Sequence, residues 1–177
     1  GIKTDTFTFF LLFFYSNIIG LNPALAGTAI FIALCIDAVT DPLMGTISDR
    51  TNSLFGRRHP YMFIAFIPMS LGYIFLFAPR QDWDMSQNDL FLWMTLFTVV
   101  TRIGMTLFDI PHRAFGGEVT KKYEERTLLM SWREMFAWIA GLGNAFLGYG
   151  VFFSSTSAYP QGQLNPDAWF PFALTGA

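Results

Sequence analysis

Charged residues are scarce in this sequence. Lys, Arg, Asp and Glu make up 14% of its 177 residues, whereas a typical soluble domain has roughly 25%. Hydrophobic residues make up 53%, 21 residues are Phe, and the mean hydropathy is +0.40. A soluble core of this length does not need so many apolar side chains, and no period-two alternation indicates lipid-facing strands. The composition therefore predicts an all-α membrane protein in contact with a lipid bilayer.

The sequence also lacks the residue sets of several other protein classes. Its single cysteine, Cys35, excludes an internal disulfide and a zinc site built on paired cysteines. The net charge of -2 provides no basic surface for nucleic acid. No nucleophile with a neighbouring base, no phosphate-binding glycine loop and no HExxH pattern occurs. We therefore expect neither an enzyme nor a nucleic-acid-binding protein, and no bound organic cofactor.

The two ends of the sequence carry no processing signal. There is no initiator methionine and no charged segment before the first apolar run, so we predict no signal peptide. The last residues, PFALTGA, fall inside an apolar run that has the composition of a starting helix. We therefore expect the chain to be a fragment of a longer protein.

Apolar runs that could cross a bilayer, which takes about 20 residues, recur along the chain. Turns rich in Asn, Pro, Gly or charged residues separate them. Pro111 is expected to end or kink the fourth run. The glycines of the fifth run, Gly141, Gly143, Gly148 and Gly150, are expected to let another helix approach closely. We predict five spans and the start of a sixth: residues 7–21, 26–47, 61–77, 90–110, 128–153 and a segment beginning near Trp169.

Basic residues are concentrated in every second connection between these runs. The connection from the second to the third run and that from the fourth to the fifth contain most of them, and the other connections contain only Arg80. Because basic loops remain in the cytoplasm, we predict a multi-pass protein of the plasma or bacterial inner membrane in which those two connections are cytoplasmic. The residues concerned are Arg50, Arg57, Arg58, Arg113, Lys121, Lys122 and Arg126.

Two aspartates interrupt the second apolar run, where no polar face is available to them. Asp37 and Asp41 are four residues apart and therefore share one helix face. A charged side chain inside a bilayer costs about 2.5–3.5 kcal/mol or more, and two neighbouring carboxylates repel unless a proton or a cation neutralises one. With the Thr40 hydroxyl beside them, their oxygens suit a hard cation. We predict a coupling site for sodium or a proton. The structural alternative is that Asp37 pairs with a basic residue of another helix while Asp41 caps a helix end near Pro42.

A second polar stripe follows the fourth apolar run. Arg102, Thr106, Asp109 and Arg113 are spaced by four, three and four residues, so they share one helix face. We predict that this face lines a substrate cavity, in which Asp109 accepts hydrogen bonds from a sugar or another polar substrate and the two arginines lie beside it. Arg133 either faces the same cavity or extends to the cytoplasmic surface. The structural alternative is a salt bridge that only stabilises packing, either between Arg102 and Asp109 or between two helices.

Two stretches of the sequence resemble one family of transporters. DAVTDPLMGTISDRTNSLFGRRHP, residues 37–60, resembles helix II and the following loop of the glycoside–pentoside–hexuronide:cation symporters, which belong to the major facilitator superfamily. TLFDIPHRAFGGEVTKKYEERT, residues 106–127, resembles helix IV and the loop after it in the same family. The order and spacing of the two stretches also agree with that family. The resemblance implies the N-terminal helical bundle of a major facilitator, of which the chain would contain about five and a half transmembrane helices.

The resemblance implies a cation site and a gating motif. Asp37 and Asp41 correspond to the family's paired cation-binding aspartates, and Thr106 corresponds to its helix IV hydroxyl ligand. Thr40 lies where a family member has an amide side chain. The resemblance further implies a cytoplasmic loop motif that holds the two halves of the transporter together in the outward-open state. The residues of this motif are Gly45, Asp49, Arg50, Gly56, Arg57 and Arg58.

The resemblance also implies a sugar site, from which this sequence departs in two places. Asp109 corresponds to the helix IV carboxylate that binds sugar, and Arg133 approximates the helix V arginine of that site. The aromatic residue that the family has one turn after its helix IV aspartate is Arg113 here, and the helix I carboxylate would lie at or before Gly1. A basic residue in the sugar position favours an anionic substrate such as a uronide. Sodium-coupled lysophospholipid transporters are similar relatives that carry lipid.

Together these observations predict a secondary active transporter. It would couple the transport of a sugar or glycoside to sodium or a proton by alternating access, with a C-terminal half completing the cavity. One alternative is a cation-coupled carrier of a lysolipid or an anionic solute. The other is a non-transporting membrane receptor or assembly subunit, in which the polar cluster serves structure alone.

Overall fold

Every regular element is helical in the part of the chain that the structure describes. The structure is a computed structural model, and it describes residues 10–53, 56–119, 122–156 and 159–176. Six helical segments follow one another, and π-helical turns extend the first of them to Ile19 and the fifth to Phe152. They are α1 (Leu11–Phe13), α2 (Pro23–Arg50), α3 (His59–Leu76), α4 (Gln87–Val119), α5 (Tyr123–Leu147) and α6 (Trp169–Gly176).

The predicted membrane helices are confirmed as helices, although several boundaries differ. Four of the described helices, α2 to α5, are long and apolar enough to cross a membrane. The first predicted span is observed only from Leu11, because residues 7–9 lie outside the described residues. A helix begins at Trp169, where the sixth span was predicted. The all-α membrane fold expected from composition is therefore correct.

The stop predicted near Pro111, at the end of the fourth span, is not observed, whereas the kink given as its alternative stays a prediction. Helix α4 includes Pro111 and continues to Val119. Pro42 and Pro68 likewise lie inside α2 and α3. Proline is tolerated inside membrane helices because neighbouring helices and side chains can satisfy the backbone groups that it frees. Pro111 is itself buried, so it packs inside the bundle as an internal residue of α4.

Helix α4 is the central element, because it packs along both α2 and α3. Two glycines allow the approach of α3. A Cβ atom built on Gly104 would lie 2.7 Å from the backbone nitrogen of Met69, and one built on Gly72 would lie 2.9 Å from that of Thr101. Such distances leave no room for a side chain. The two helix backbones therefore touch at small residues, as is usual in membrane bundles.

At two glycines of the fifth span, no other described helix makes the close approach that these residues were expected to permit. A Cβ atom on Gly143 would meet no described atom within 4 Å, and one on Gly150 would meet only Phe146 of the same segment, at 4.0 Å. At Gly148 the neighbours are the rings of Phe172 and Phe153 rather than a helix backbone. Small residues permit close packing but do not select the partner helix, and among the described glycines it is Gly72 of α3 and Gly104 of α4 that make such a contact between helices.

An aromatic cluster closes one end of the bundle. Trp169 is fully buried, and its ring lies 4.6–6.0 Å from those of Phe10, Phe14, Phe77 and Phe153. Its indole nitrogen donates to the backbone oxygen of Gln163 at 3.0 Å, so the polar atom is satisfied inside the cluster. Residues from α1, α3, α6 and the end of the α5 segment are thereby held together.

The Gln87 side chain joins the start of α4 to the turn before α2. Its Oε1 accepts from the backbone nitrogen of Asn22, and its Nε2 donates to the backbone oxygen of Gly20, both at 2.9 Å. Asn22 in turn caps α2 by accepting from the backbone nitrogen of Ala24. These bonds fix the first turn of α2 next to the first turn of α4.

The contact between α3 and α4 gives a first prediction. Gly104→Ala should lower the free energy of unfolding by about 1–3 kcal/mol, because the added methyl overpacks a backbone contact. The measurement is the temperature at which the detergent-purified protein loses its monodisperse chromatographic peak.

Gly27→Ala is the matched control, since Gly27 also lies inside a long helix but has no atom within 4 Å of a built Cβ. Alanine favours helix at that position, so the control should be as stable as the wild type or more so. Equal stability of the two variants would contradict the close approach of α3 to α4.

Candidate functional site

The polar side chains of α2 and α4 meet along one regular seam. Arg102 contacts Asp37 and Thr106 contacts Asp41, each pair separated by 65 residues in sequence. One turn further on, a Cβ built on Gly45 would lie 3.8 Å from Cγ2 of Ile110, which repeats that separation. Side chains four residues apart share a helix face. The constant separation therefore means that α2 and α4 run parallel here, turn against turn.

An inter-helix salt bridge forms the first step of this seam. Nη1 of Arg102 donates to Oδ2 of Asp37 at 2.5 Å. The two side chains are 25% and 18% exposed, so the pair is largely removed from solvent. The second carboxylate oxygen, Oδ1 of Asp37, is buried and accepts a hydrogen bond from no described residue. The ion pair therefore uses one oxygen of Asp37 and leaves the other available.

A hydroxyl–carboxylate contact forms the second step. Oγ1 of Thr106 donates to Oδ1 of Asp41 at 2.7 Å. Thr106 is 7% exposed, so this bond is held inside the packed face of α4. Asp41 lies in the middle of α2, which continues through Pro42 to Arg50. The alternative that Asp41 caps a helix end is therefore wrong.

A third acidic side chain, Asp109, lies one turn beyond Thr106. Its Oδ2 is 3.6 Å from Nη2 of Arg113, four residues later in the same helix. Both side chains are well exposed, 48% for Asp109 and 63% for Arg113. Of the two salt bridges considered for this stripe, the structure shows the inter-helix one, between Arg102 and Asp37, whereas Asp109 lies beside Arg113.

These groups line one cavity of about 180 Å³ between α2 and α4. Three carboxylates and two guanidinium groups face it, together with one hydroxyl and two apolar side chains. Carboxylate and hydroxyl oxygens are the donors that a small hard cation prefers, and the unused oxygen of Asp37 is one such donor. The residue set therefore fits a monovalent cation. The lining residues are Asp37, Asp41, Arg102, Met105, Thr106, Asp109, Ile110 and Arg113.

Two residues predicted for the site do not line this cavity. The Thr40 hydroxyl lies 3.5 Å from the backbone oxygen of Asp37, within its own helix. Nη2 of Arg133 donates to Oε1 of Glu134, and Arg133 lies on α5 rather than at the seam. For Arg133, this geometry agrees with the alternative in which the side chain extends to a surface.

The predicted loop motif lies in the last turns of α2 and in the connection between α2 and α3. Nη2 of Arg58 donates to Oδ1 of Asp49 at 2.8 Å, and Arg58 is only 9% exposed. Gly56 has a φ of +91°, a left-handed conformation in which glycine is favoured. Arg50 and Arg57 are exposed. An ion pair therefore joins the last turn of α2 to the start of α3. The second basic connection is described only in part, because Lys121 lies outside the described residues.

The structural alternative in which Asp37 pairs with a basic residue of another helix is confirmed, and its partner is Arg102. Asp37 and Asp41 are four residues apart in α2, as are Arg102 and Thr106 in α4. A parallel contact that places Arg102 beside Asp37 therefore also places Thr106 beside Asp41. Arg102 was instead assigned to the substrate because it shares a face with Asp109. The inter-helix salt bridge was considered only as an alternative that stabilises packing.

Comparison with known proteins identifies the family of the chain. Residues 1–177 match the family described as MFS/sugar transport protein. An uncharacterized symporter of Synechocystis sp. is 35% identical over 77% of this chain and 26% of its own length. The putative glycoside/cation symporter YagG of Escherichia coli is 30% identical over 77% of this chain and 29% of its own length. The sodium-dependent lysophosphatidylcholine symporter 1-A of Danio rerio is 30% identical over 75% of this chain and 25% of its own length.

The chain thus spans less than a third of the length of these relatives. Two of the three names state a cargo, and these two cargoes differ, but all three relatives are named symporters. The resemblance noted from the motifs of residues 37–60 and 106–127 is therefore confirmed. Since the family match extends over the whole sequence, the chain belongs to the MFS/sugar transport protein family.

Proposed function

We propose that this chain forms the N-terminal half of a secondary active transporter that couples symport of a glycoside to a cation. The observation that carries the proposal is the shared cavity, in which the acidic pair of α2 and the polar stripe of α4 meet. Charged groups inside a membrane helix are costly, so their convergence on one cavity is evidence of use. Transporters of this type bind cation and substrate near the middle of the bilayer, between helices.

The cation would bind at the seam between α2 and α4. Asp41 supplies a carboxylate, Thr106 a hydroxyl oxygen, and Asp37 the oxygen that its salt bridge leaves free. These oxygens come from two helices, so a bound cation stabilises their contact. The coupling ion is sodium or a proton, and the oxygen donors serve either.

The substrate would bind next to the cation, at Asp109 and Arg113. An exposed carboxylate beside a guanidinium presents acceptors and donors to the hydroxyl groups of a sugar. The similarity to a putative glycoside/cation symporter supports a glycoside as cargo. In the proposed symport, the bound cation neutralises the acidic pair and favours the arrangement that binds substrate. By thermodynamic linkage, each ligand then raises the affinity for the other by the same factor.

A lysolipid or another anionic solute is the alternative cargo. Arg113 favours it, because its guanidinium faces the cavity and could pair with a phosphate or carboxylate. The similarity to a sodium-dependent lysophosphatidylcholine symporter supports the same alternative.

A receptor or assembly subunit is the second alternative, and in that case ligand affinity should not depend on a cation.

The salt bridge between Asp49 and Arg58 would serve the transport cycle. It joins α2 to α3 at the turn that basic residues predict to be cytoplasmic. In this proposal the bridged turn contacts the C-terminal half in one conformation and separates from it in the other. Rocking of the two halves around the cavity would then provide alternating access.

The second prediction tests symport in the complete transporter, reconstituted into liposomes. Uptake of a labelled glycoside should rise with an inward gradient of either sodium or protons and should fall to the level of protein-free vesicles in Asp41→Asn. The panel includes a neutral glycoside, a uronide and a lysolipid. Asp82→Asn is the matched control, because it removes an exposed carboxylate outside the cavity.

Each result of this experiment has a definite meaning. Cation-dependent uptake of a glycoside that Asp41→Asn abolishes supports the proposal. Uptake of the lysolipid alone, with the same cation dependence, replaces the sugar by the alternative cargo. Ligand binding that is independent of both cations and unchanged in Asp41→Asn would contradict symport.

The third prediction concerns the hydroxyl of Thr106. Thr106→Val should weaken sodium binding about tenfold, since it removes both a hydrogen bond to a carboxylate and an oxygen donor. Thr106→Ser keeps the hydroxyl and should stay within about twofold of the wild type. Affinity is measured by titration calorimetry with sodium chloride at constant ionic strength.

Thr95→Val is the control for loss of a threonine hydroxyl from the same helix. That hydroxyl donates to the backbone oxygen of Phe91 and does not line the cavity. Its loss should leave sodium affinity unchanged. If Thr106→Val binds sodium as the wild type does, Thr106 is not a ligand and its bond to Asp41 is structural.

A further inference from the structure

The charges that line the cavity do not balance. Asp37 is paired with Arg102, and Asp109 lies beside Arg113. Asp41 accepts a hydrogen bond from a neutral hydroxyl and, among the described residues that line the cavity, is the one carboxylate without an arginine partner. Arginine stays protonated in proteins, so both pairs are neutral as units. The cavity wall formed by this chain therefore has a net charge of about -1, located at Asp41.

We propose that Arg102 sets the charge of the cation site by acting as a permanent counter-ion of Asp37. The acidic pair then presents one net negative charge instead of two, and it accepts one monovalent cation such as sodium. Asp37 contributes an oxygen but no net charge. This inference rests on the proposed symport and adds to it a residue that determines how many charges couple to one transport cycle.

The geometry separates this role from substrate binding. The Arg102 guanidinium donates to Asp37, which lies one helical turn away from Asp41. Both members of the pair are largely buried, whereas Asp109 and Arg113 are exposed. Charges in such surroundings act on each other through a lower effective dielectric than water. Arg102 therefore lowers the affinity of the site for a cation, because its positive charge cancels one of the two negative charges of the acidic pair.

If Arg102 has this role, two single substitutions should change the sodium affinity in opposite directions. The double variant should cancel the two changes. Asp37→Asn leaves the Arg102 charge unbalanced, so sodium binding should weaken by about tenfold or more. Arg102→Gln leaves both carboxylates unbalanced, so sodium binding should tighten by about tenfold or more. Asp37→Asn with Arg102→Gln restores a net charge of about -1 and keeps an amide oxygen at position 37. Its affinity should return to within about threefold of the wild type.

The fourth prediction is tested on the complete transporter in detergent, by calorimetric titration with sodium chloride against choline chloride. Arg102→Lys retains the charge and should behave as the wild type does. Arg80→Gln removes an exposed arginine outside this cavity and should have no effect. Calcium is titrated in parallel, and Arg102→Gln alone should acquire calcium binding, because only that variant presents two unbalanced carboxylates.

The double variant decides the outcome even if Arg102→Gln fails to fold. Recovery of sodium binding relative to Asp37→Asn supports the proposal. A double variant that binds sodium as weakly as Asp37→Asn would overturn the proposal, because removal of the Arg102 charge would then not compensate for loss of the Asp37 charge. Absence of sodium binding in the wild type would also overturn it, whereas proton-driven uptake in the same protein would leave the symport proposal standing.

Discussion

The parallel contact of α2 with α4 is the constraint on which the rest of the structure depends. Charged side chains inside an apolar bundle are tolerated only when they are paired or hydrogen-bonded. Asp37 with Arg102 and Asp41 with Thr106 meet this requirement, and both pairs need the same register between the helices. A shift of either helix by one residue would turn the partners to different faces and leave buried charges alone. Packing and site chemistry are therefore fixed by the same contact.

Other elements hold α4 in the position that this register requires. Gly72 and Gly104 let α3 contact α4 at backbone distance on another side. The Gln87 side chain fixes the first turn of α4 beside the turn that precedes α2. These contacts lie away from the cavity, yet each limits sliding of α4 along its axis. The apolar surface of α5 is largely exposed, which is typical of a helix that faces lipid or further protein.

Composition and local spacing predicted the helices and most of the cavity, because both follow from a single helix at a time. Asp37 and Asp41 were placed on one face by their spacing of four, and Asp109 was placed with Arg113 in the same way. The predictions that failed concern contacts with other helices. The continuation of α4 through Pro111 and the open surroundings of Gly143 depend on neighbouring helices, whereas the role of Arg133 stays a prediction. The Arg102 pairing needed the register between two helices, which the periodicity of either one does not contain.

The two ion pairs of the cavity contain the same kinds of charge but differ in solvent exposure, and this difference separates their roles. Asp37 and Arg102 are close and largely buried, so opening them would expose two charges to an apolar surrounding. Asp109 and Arg113 are 3.6 Å apart and exposed, and such pairs contribute little to stability. The exposed pair can therefore open to meet the hydroxyl or anionic groups of a cargo at little cost. A fixed cation site beside an adaptable substrate site would let related proteins exchange cargo while they keep the coupling ion.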